Sequence, residues 1–185
     1  MNEFTVHTTE SAPTPSKDIL ASVQKKFGFI PNLMGELAEV PAALKAYTML
    51  SELLGQTSLS PIEQQIVLAA VSIANGCEYC VAAHSAGLKS AGLAPDQLDA
   101  LRGGHPLTDL KLEALRAFAS AIVERRGWIK QSDLQHFLDA GYRREQLFEV
   151  LVGVAMKTIS NYANHIAGTP LDPPLQPFAW EPTTA

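Results

Sequence analysis

The chain has 185 residues, of which 46% are hydrophobic, and its 14 Lys and Arg against 19 Asp and Glu give a formal net charge of −5. This length suits one domain with a sizeable core. The acidic balance, without a large basic cluster, argues against nucleic acid as a partner. Because no apolar run reaches the length of a membrane span and no leader is visible, we expect a soluble, cytoplasmic protein that does not bind membranes.

Composition divides the chain into three segments. Residues 1–15 are rich in Thr, Ser and Pro and predict an N-terminal extended arm. Residues 16–170 carry apolar side chains at helical spacing and no alternating pattern, so they predict an all-α domain. The tail from Thr169 onward has five prolines. We therefore expect residues 171–185 to form a non-helical arm whose Phe178 and Trp180 pack on this subunit or on a neighbour.

The first helices of the domain have recognisable ends. One is expected to begin with Ser16 as its N-cap and to stop at Gly28, and the next to run from Pro41 to Gly55. A third begins at a capping box, in which Ser60 is the N-cap and Glu63 the third helical residue. Its interior is apolar on almost every side, which is typical of a helix at the centre of a bundle.

The pair Asn75-Gly76 is expected to end or bend this central helix. A further helix should then run from about Cys77 to Leu88. The remaining apolar periodicity predicts helices over residues 94–101, 107–127, 130–141 and 143–168.

The only two cysteines of the chain, Cys77 and Cys80, lie within one short stretch, NGCEYCVAAHSAG, together with His84. In a reducing compartment a C-x-x-C pair is typical of redox activity or metal binding rather than of structural stapling. On a helix, Cys80 and His84 lie about 60° and 20° from Cys77, so the three side chains share one face. Cα atoms three residues apart are roughly 5 Å from each other, which allows the pair to form a disulfide.

Two physical arguments disagree on which cysteine is the nucleophile. Helical side chains lean toward the N-terminus, so His84 should lean over Cys80 and hydrogen-bond its thiol or take its proton. Cys77, however, lies nearer the helix N-terminus, where exposed amides lower the pKa of a thiol most. Spacing alone leaves both assignments open.

A family resemblance is carried by residues 59–93, LSPIEQQIVLAAVSIANGCEYCVAAHSAGLKSAGL. This stretch resembles the core of the alkylhydroperoxidase AhpD family, within the carboxymuconolactone decarboxylase superfamily. Two further stretches, residues 27–54 and 161–172 (NYANHIAGTPLD), resemble its peroxidase-related branch. The likeness covers most of residues 16–175, and C-x-x-C-x-x-x-H after a capped apolar helix is its most specific part.

The resemblance implies an AhpD-like helical bundle that assembles into homo-oligomers and acts as a thiol-dependent peroxidase. It implies that Cys80 attacks the hydroperoxide and that Cys77 resolves the resulting sulfenic acid as a disulfide. His84 would assist proton transfer. No cofactor or metal is expected, but an external dithiol must reset the pair. In the AhpD family that reductant is a lipoyl-bearing adaptor protein.

Two positions depart from the family pattern. The glutamate that relays protons in the family lies twelve positions before the first cysteine, where this chain has Gln65. We expect either that Glu63 substitutes for it or that the relay is weaker, because an amide does not relay protons as a carboxylate does. Tyr79 stands where the best-known pattern has histidine, and it is a poor base at neutral pH. The predicted catalytic set is Cys80, Cys77, His84 and Glu63, with modest activity.

Other readings of the same residues stay open. The cysteines could be small apolar core side chains, and Glu63 could serve the cap alone. A zinc site could use both cysteines with His84 and His165, although three ligands from one regular helix are rare. Asn164 and His165 could line the pocket or form a structural polar cluster. At the level of function, the alternatives are a non-catalytic redox-sensing or binding oligomer and, less favoured because decarboxylase members lack the C-x-x-C pair, a lactone decarboxylase.

Overall fold

The computed structural model describes residues 4–182, and within this range it contains nine α-helices, one short 3-10 helix and no strand. In chain order these are α1 (Thr14–Phe27), α2 (Asn32–Leu37), α3 (Pro41–Gly55), α4 (Pro61–Ala74), α5 (Glu78–Ser90), α6 (Pro95–Arg102), α7 (Leu110–Glu124), α8 (Gln131–Asp139), α9 (Arg144–Ala167) and the 3-10 helix Pro173–Phe178. The predicted all-α fold is confirmed. None of the helices described is both long and apolar enough to span a bilayer.

Helix α4 lies at the centre of the bundle and packs against α5, α7 and α9. Two buried apolar clusters meet at it. One joins α4 to α7, α8 and α9 and includes a stack of Phe118, Phe137 and Tyr142, whose ring centroids are 4.3 and 4.6 Å apart. The other is built from α1, α2, α3 and the start of α5, and it contains both cysteines. The apolar sequence of α4 is explained by this position between two cores.

The connection between α4 and α5 follows the local sequence signals. The capping box is present, with Ser60 Oγ accepting from the amide of Glu63 and the Glu63 carboxylate accepting from the amide of Ser60. Asn75 caps the end of α4, and Gly76 turns the chain at φ +65°, a conformation that favours glycine. Cys77 is the N-cap of α5 rather than a residue of its first turn.

The N-terminal part differs from the prediction in two ways. Helix α1 begins at Thr14 with Pro13 as its N-cap, whereas Ser16 was the expected N-cap. Pro15 lies in the first turn, where proline is favoured because its missing amide would have no helical partner. Ser16 is buried inside the helix, where its hydroxyl donates to the carbonyl of Ala38. Short helix α2 was not predicted. Residues 4–13, before α1, are non-helical, and the amide of His7 donates to the carbonyl of Gly35 in α2.

The prediction of a wholly non-helical tail is wrong, because residues 173–178 form a 3-10 helix. Prolines at the start of such a turn already have the required φ, and their missing amides would have no partner there. The tail packs on this subunit beside α5 and α6. The guanidinium of Arg102 donates to the carbonyls of Phe178 and Ala179 at 3.0 and 2.8 Å, and the indole of Trp180 donates to the carbonyl of Arg102 at 2.8 Å.

Candidate active site

The two cysteines lie at the N-terminal end of α5 as free thiols, with Cys77 fully buried and Cys80 1% exposed. The turn at Asn75-Gly76 brings this helix end back against the centre of the molecule, where it meets α9. Cys77, as the N-cap, and Cys80 and His84, in the first two turns, are thus carried by one helix. The sequence prediction did not include the residues that surround them.

Helix α9 supplies three polar side chains at helical spacing, all of them buried: Lys157, Ser160 and Asn164. The amide nitrogen of Asn164 lies 3.1 Å from Sγ of Cys80 and 3.6 Å from Sγ of Cys77, so it can donate to either sulfur. The hydroxyl of Ser160 lies 3.8 Å from Sγ of Cys80. Cys80 thus has more polar neighbours than Cys77.

The pKa values of the two thiols are shifted in opposite directions. Burial opposes ionisation of Cys80, but a hydrogen bond from Cys77 and the charge of the Lys157 ammonium outweigh it and hold the pKa of Cys80 well below its usual range. The hydrogen bond to Cys80, together with burial, raises the pKa of Cys77 far above its usual range. Both shifts favour ionisation of Cys80 over ionisation of Cys77.

His84 does not contact the Cys80 thiol in the way its helical position suggested. Its Nε2 lies 2.9 Å from Nζ of Lys157, and its Nδ1 lies 3.0 Å from Oε1 of Gln65. Burial and the Lys157 charge hold the pKa of His84 well below its usual range, so the imidazole is neutral at pH 7. The arrangement that satisfies all three groups has Lys157 donating to Nε2 and Nδ1–H donating to Gln65.

Gly87, one turn after His84 on α5, makes room for this contact. A Cβ at position 87 would lie 2.5 Å from Oε1 of Gln65, too close for any side chain. Gln65 therefore reaches His84 across the α4–α5 interface only because residue 87 has no side chain. The position where the family pattern has a proton-relaying glutamate thus orients the histidine by its amide oxygen.

Two more polar groups lie near the thiols. Oδ1 of Asn164 is buried and has no hydrogen-bond partner within residues 4–182. Tyr47 is buried in the same apolar cluster as the thiols, and burial together with the negative charge of Cys80 raises the pKa of Tyr47, which keeps its hydroxyl protonated. The site therefore offers one free acceptor and one protonated hydroxyl close to Cys80.

Tyr79, between the two cysteines in sequence, points away from them and serves as an anchor. Its hydroxyl donates to the carboxylate of buried Asp172, and burial and that carboxylate raise the pKa of Tyr79. Asp172 also accepts from the backbone amide of Asn32 at the start of α2, at 3.1 Å. One carboxylate thus ties the C-terminal tail to α5 and to α2.

Glu63 is not part of this site. Its carboxylate closes the capping box, accepts from the hydroxyl of Tyr142 at 3.0 Å and pairs with Lys111 at 2.9 Å. These partners belong to the cluster of α7, α8 and α9, whereas the thiols belong to the other cluster. The structure contains no contact between Glu63 and either cysteine among the residues described, so the expectation that it replaces the glutamate of the family pattern is not supported.

The position of His165 does not support the hypothesis of a zinc site. His165 lies exposed on the outer side of α9, while its neighbour Asn164 points inward to the cysteines. Within residues 4–182 no group of three or more His, Cys, Asp or Glu side chains is arranged to hold a metal ion.

Sequence reasoning missed Lys157 and Ser160, and it treated Asn164 only as one possibility. A signal for Lys157 was present, because it is one of only two residues with a formal charge between Gln146 and Ala167. A lone lysine in so apolar a helix must find a buried partner or reach solvent. Its partners lie on another helix, and the sequence does not say which.

Residues 41–107 match the model of the carboxymuconolactone decarboxylase family. No curated protein matches the chain significantly in sequence. The fold matches the crystal structure of an uncharacterized peroxidase-related protein with an alkylhydroperoxidase AhpD core from Ralstonia eutropha JMP134, with a TM-score of 0.81 and 22% identity over 95% of this chain and 96% of that chain.

Two further structures are similar over nearly the whole chain. One is an uncharacterized peroxidase-related protein from Silicibacter sp. TM1040, with a TM-score of 0.78 and 20% identity over 94% of this chain and 95% of that one. The other is a cysteine-to-alanine variant of the debrominase Bmp8 in complex with 2,3,4-tribromopyrrole, with a TM-score of 0.76 and 16% identity over 95% and 94%. At these identities the likeness establishes the fold.

Proposed function

We propose that this chain, an AhpD-like member of the carboxymuconolactone decarboxylase superfamily, is a thiol-dependent peroxidase in which Cys80 attacks the hydroperoxide and Cys77 resolves the product. The observation that carries the proposal is the asymmetry of the pair. Cys80 has a lowered pKa beside Lys157, whereas Cys77 has a raised pKa and donates to it. This asymmetry favours Cys80 over Cys77 as the attacking sulfur, because the thiolate is the nucleophile.

In the first step the Cys80 thiolate attacks the terminal oxygen of the hydroperoxide. The S–O bond forms and the O–O bond breaks, which leaves a Cys80 sulfenic acid and an alkoxide. The Lys157 ammonium, whose charge lowers the pKa of Cys80, protonates the alkoxide to the alcohol. Asn164 supports the geometry, because its amide nitrogen holds Sγ of Cys80 while its free Oδ1 can accept the O–H of the hydroperoxide.

In the second step the sulfur of Cys77 displaces the hydroxyl of the sulfenic acid. The Cys77 proton leaves with that hydroxyl as water, and the Cys77–Cys80 disulfide remains. An external dithiol then reduces the disulfide by exchange. The reductant is a dithiol of the kind carried by a lipoyl group. The exchange reaction requires only that its two thiols can reach the cysteines at the start of α5.

His84 and Gln65 act through Lys157 in this proposal. His84 accepts a hydrogen bond from the ammonium, and Gln65 holds the imidazole in the tautomer that makes Nε2 an acceptor. The arrangement replaces the carboxylate relay expected from the family pattern by a fixed cation. The cation both lowers the pKa of Cys80 and supplies the proton.

The experiment is to measure hydroperoxide consumption with dihydrolipoamide as the dithiol, for the wild type, Cys80→Ser and Cys77→Ser. Cys80→Ser should be inactive. Cys77→Ser should consume about one equivalent and stop as a Cys80 sulfenic acid that dimedone traps. A sulfenic acid trapped on Cys77 in Cys80→Ser, and none on Cys80, would reverse the assignment.

The same experiment separates the competing functions. A disulfide that forms without turnover by any dithiol and peroxide would indicate a redox sensor and exclude the enzyme. The structural likeness to Bmp8 suggests a second compound that the thiols could reduce, a brominated pyrrole. Its reduction would oxidise the same two cysteines. Release of bromide without consumption of any hydroperoxide would contradict the peroxidase proposal.

A further inference from the structure

The C-terminal tail forms a loop whose two limbs lie over the start of α5. The first limb, residues 169–172, is fixed to α5 and to α2 by the carboxylate of Asp172. The 3-10 helix then runs beside α5 and leads into the second limb, residues 178–182. A Cβ at Gly76 would lie 4.0 Å from the ring of Pro182, so the second limb returns to the turn that precedes the cysteines.

The two limbs and the start of α5 border a cavity of about 490 Å³. Its lining consists of Glu78 and Tyr79 from α5, Thr169 and Leu171 from the first limb, and Ala179, Trp180 and Glu181 from the second. The volume is in the range of sites for small molecules, about 300–1,000 Å³, and apolar walls with a few polar groups are typical of such sites. The cavity therefore has the size and the lining of a binding site.

The cavity lies beside the cysteines without exposing them. Its two residues from α5, Glu78 and Tyr79, are those between Cys77 and Cys80 in the chain. Leu171 of the first limb packs against the buried cluster that contains both cysteines. Because both cysteines are at most 1% exposed, a reductant reaches them only where a covering segment gives way. The tail covers the helix start that carries them.

The second limb is held by α6 rather than by α5. The guanidinium of Arg102 donates to two carbonyls of the limb, and the indole of Trp180 donates to the carbonyl of Arg102. Within the part of the chain that the structure describes, residues 179–182 make no hydrogen bond to α5. The second limb can therefore move away from the start of α5 while Asp172 keeps the first limb in place.

The surroundings of the cavity carry negative charge. Glu78 and Glu181 are the charged residues of the lining, and both are exposed. Two more carboxylates, those of Glu36 and Asp172, are bonded to residues of the lining, and the guanidinium of Arg102 lies beside the second limb. Together these charges are net negative. They disfavour an anionic ligand and leave the apolar walls available to an uncharged one.

We propose that this cavity is the site where the reductant of the Cys77–Cys80 disulfide binds, and that it selects an uncharged aliphatic dithiol over an anionic one. The walls formed by Leu171, Ala179 and Trp180 suit an aliphatic chain that carries two sulfurs. The carboxylates repel a dithiol that ends in a carboxylate of its own. The inference rests on the dithiol cycle of the proposed function and adds to it the place and the charge selectivity of the reductant.

The position of the cavity also assigns the sulfur that the reductant attacks. The second limb lies over the turn before Cys77, so a thiolate that enters there reaches the Cys77 sulfur first. A new S–S bond forms at Cys77, the Cys77–Cys80 bond breaks, and Cys80 leaves as a thiolate, for which its lowered pKa makes it the better leaving group. The second thiol of the reductant then displaces Cys77, which takes the proton of that thiol. The reductant ends as a cyclic disulfide, and its other proton goes to solvent.

The experiment compares reduction of the disulfide by dihydrolipoamide and by dihydrolipoate, which differ only in the charge at the end of the chain. The disulfide is first formed with diamide, so the measurement involves no peroxide. Each rate is divided by the rate at which the same dithiol reduces hydroxyethyl disulfide, which corrects for intrinsic reactivity. The wild type should then prefer dihydrolipoamide by about fivefold, the effect of one pair of like charges about 4 Å apart in water.

Charge and space are tested by separate variants. Glu78→Gln and Glu181→Gln should each lower the preference and together abolish it, whereas Glu52→Gln, at an exposed glutamate of α3, is the matched control. Ala179→Trp fills the cavity and should slow reduction by both dithiols by about tenfold or more. Pro174→Trp, at an exposed residue of the tail outside the cavity lining, should keep the wild-type rates. Circular dichroism of each variant checks that the fold is retained.

Three results would overturn the inference. Equal corrected rates for the two dithiols in the wild type, or an unchanged preference in the double glutamine variant, would contradict selection by charge. A folded Ala179→Trp with the wild-type rates would place the entry of the reductant elsewhere. None of these results bears on the attack of Cys80 on a hydroperoxide. Failure of the peroxidase proposal would appear differently, as a disulfide that diamide forms and dithiols reduce but that no hydroperoxide forms.

Discussion

Nζ of Lys157 lies 2.9 Å from Nε2 of His84 in the interior of the protein, and the same ammonium lowers the pKa of Cys80. A buried cation is costly unless its surroundings compensate it. Here the ammonium lies beside a neutral imidazole and near the Cys80 sulfur, both on α5. Lys157 therefore connects His84 of the motif with Cys80, the nucleophile of the proposed reaction.

Replacing Lys157 by methionine should remove this link. Lys157→Met keeps the shape of the stem but removes the charge, so the pKa of Cys80 should rise, because only neutral hydrogen-bond donors then oppose the effect of burial. The rate of Cys80 alkylation by iodoacetamide against pH, measured in a Cys77→Ser background, reports this pKa. In Cys77→Ser the alkylation rate should stay high at neutral pH. In Cys77→Ser/Lys157→Met the rate at neutral pH should be lower by tenfold or more.

Lys25→Met, which removes an exposed lysine of α1, is the matched control and should leave the pH profile unchanged. A Lys157→Met variant with the parental profile would show that the thiolate is stabilised by other groups. The proton donor of the proposed reaction would then have to be sought elsewhere.

Stability should fall as the pH is lowered through the range in which free histidine titrates. The pKa of His84 is lowered in the folded protein, so below about pH 6.5 the unfolded chain binds a proton that the folded one does not. The stabilisation is present above pH 6.5 and is lost as the pH falls. The slope approaches about 1.4 kcal/mol per pH unit for one proton.

Urea unfolding between pH 7 and 5 measures this slope. His84→Gln removes the titrating group and should flatten the curve in this range. His105→Gln, at an exposed histidine, should retain the slope of the wild type. If the His84 variant keeps that slope, the pH dependence arises from the buried carboxylates instead.

Asn164→Asp tests the amide that holds the nucleophile. The substitution is nearly isosteric, but it replaces the donor at 3.1 Å from Sγ of Cys80 by a carboxylate oxygen. Losing a hydrogen bond to a charged group is worth about 1.5–3 kcal/mol, and the new negative charge acts in the same direction. Stopped-flow measurement of the first oxidation step should show a loss of about tenfold to a hundredfold at pH 7. An unchanged rate would mean that Asn164 is structural only.

Asp172→Ala should release the C-terminal tail from the bundle. It removes the acceptor of the Tyr79 hydroxyl and of the Asn32 amide, and both donors are left inside the protein. Each unsatisfied buried donor costs about 1–3 kcal/mol, so the free energy of unfolding should fall by at least that amount. Asp139→Ala, at an exposed aspartate of α8, should change it little. Equal losses in both variants would show that Asp172 does not anchor the tail.

Signals local to the chain were sufficient for the helices around the site and for the choice of candidate thiols. Ser60, Glu63 and Asn75-Gly76 act through neighbouring backbone atoms, so their effect can be read without knowing the rest of the fold. The same is true of the shared helix start that carries Cys77, Cys80 and His84. The limits of this reading appear at the tail, where prolines expected to prevent a helix instead begin a 3-10 turn.

The partners of these residues were decided only by tertiary packing. Lys157 and Asn164 reach the cysteines because α9 crosses the start of α5, and Gln65 reaches His84 because Gly87 leaves the space open. Glu63 was expected at the site, but α7 and Tyr142 take its carboxylate. A side chain's pKa depends on charges within a few ångströms, whatever their distance along the chain. For that reason, the sequence identified the two thiols, but only the packing of α5 against α9 brings Lys157 to the cysteines, where its charge lowers the pKa of Cys80.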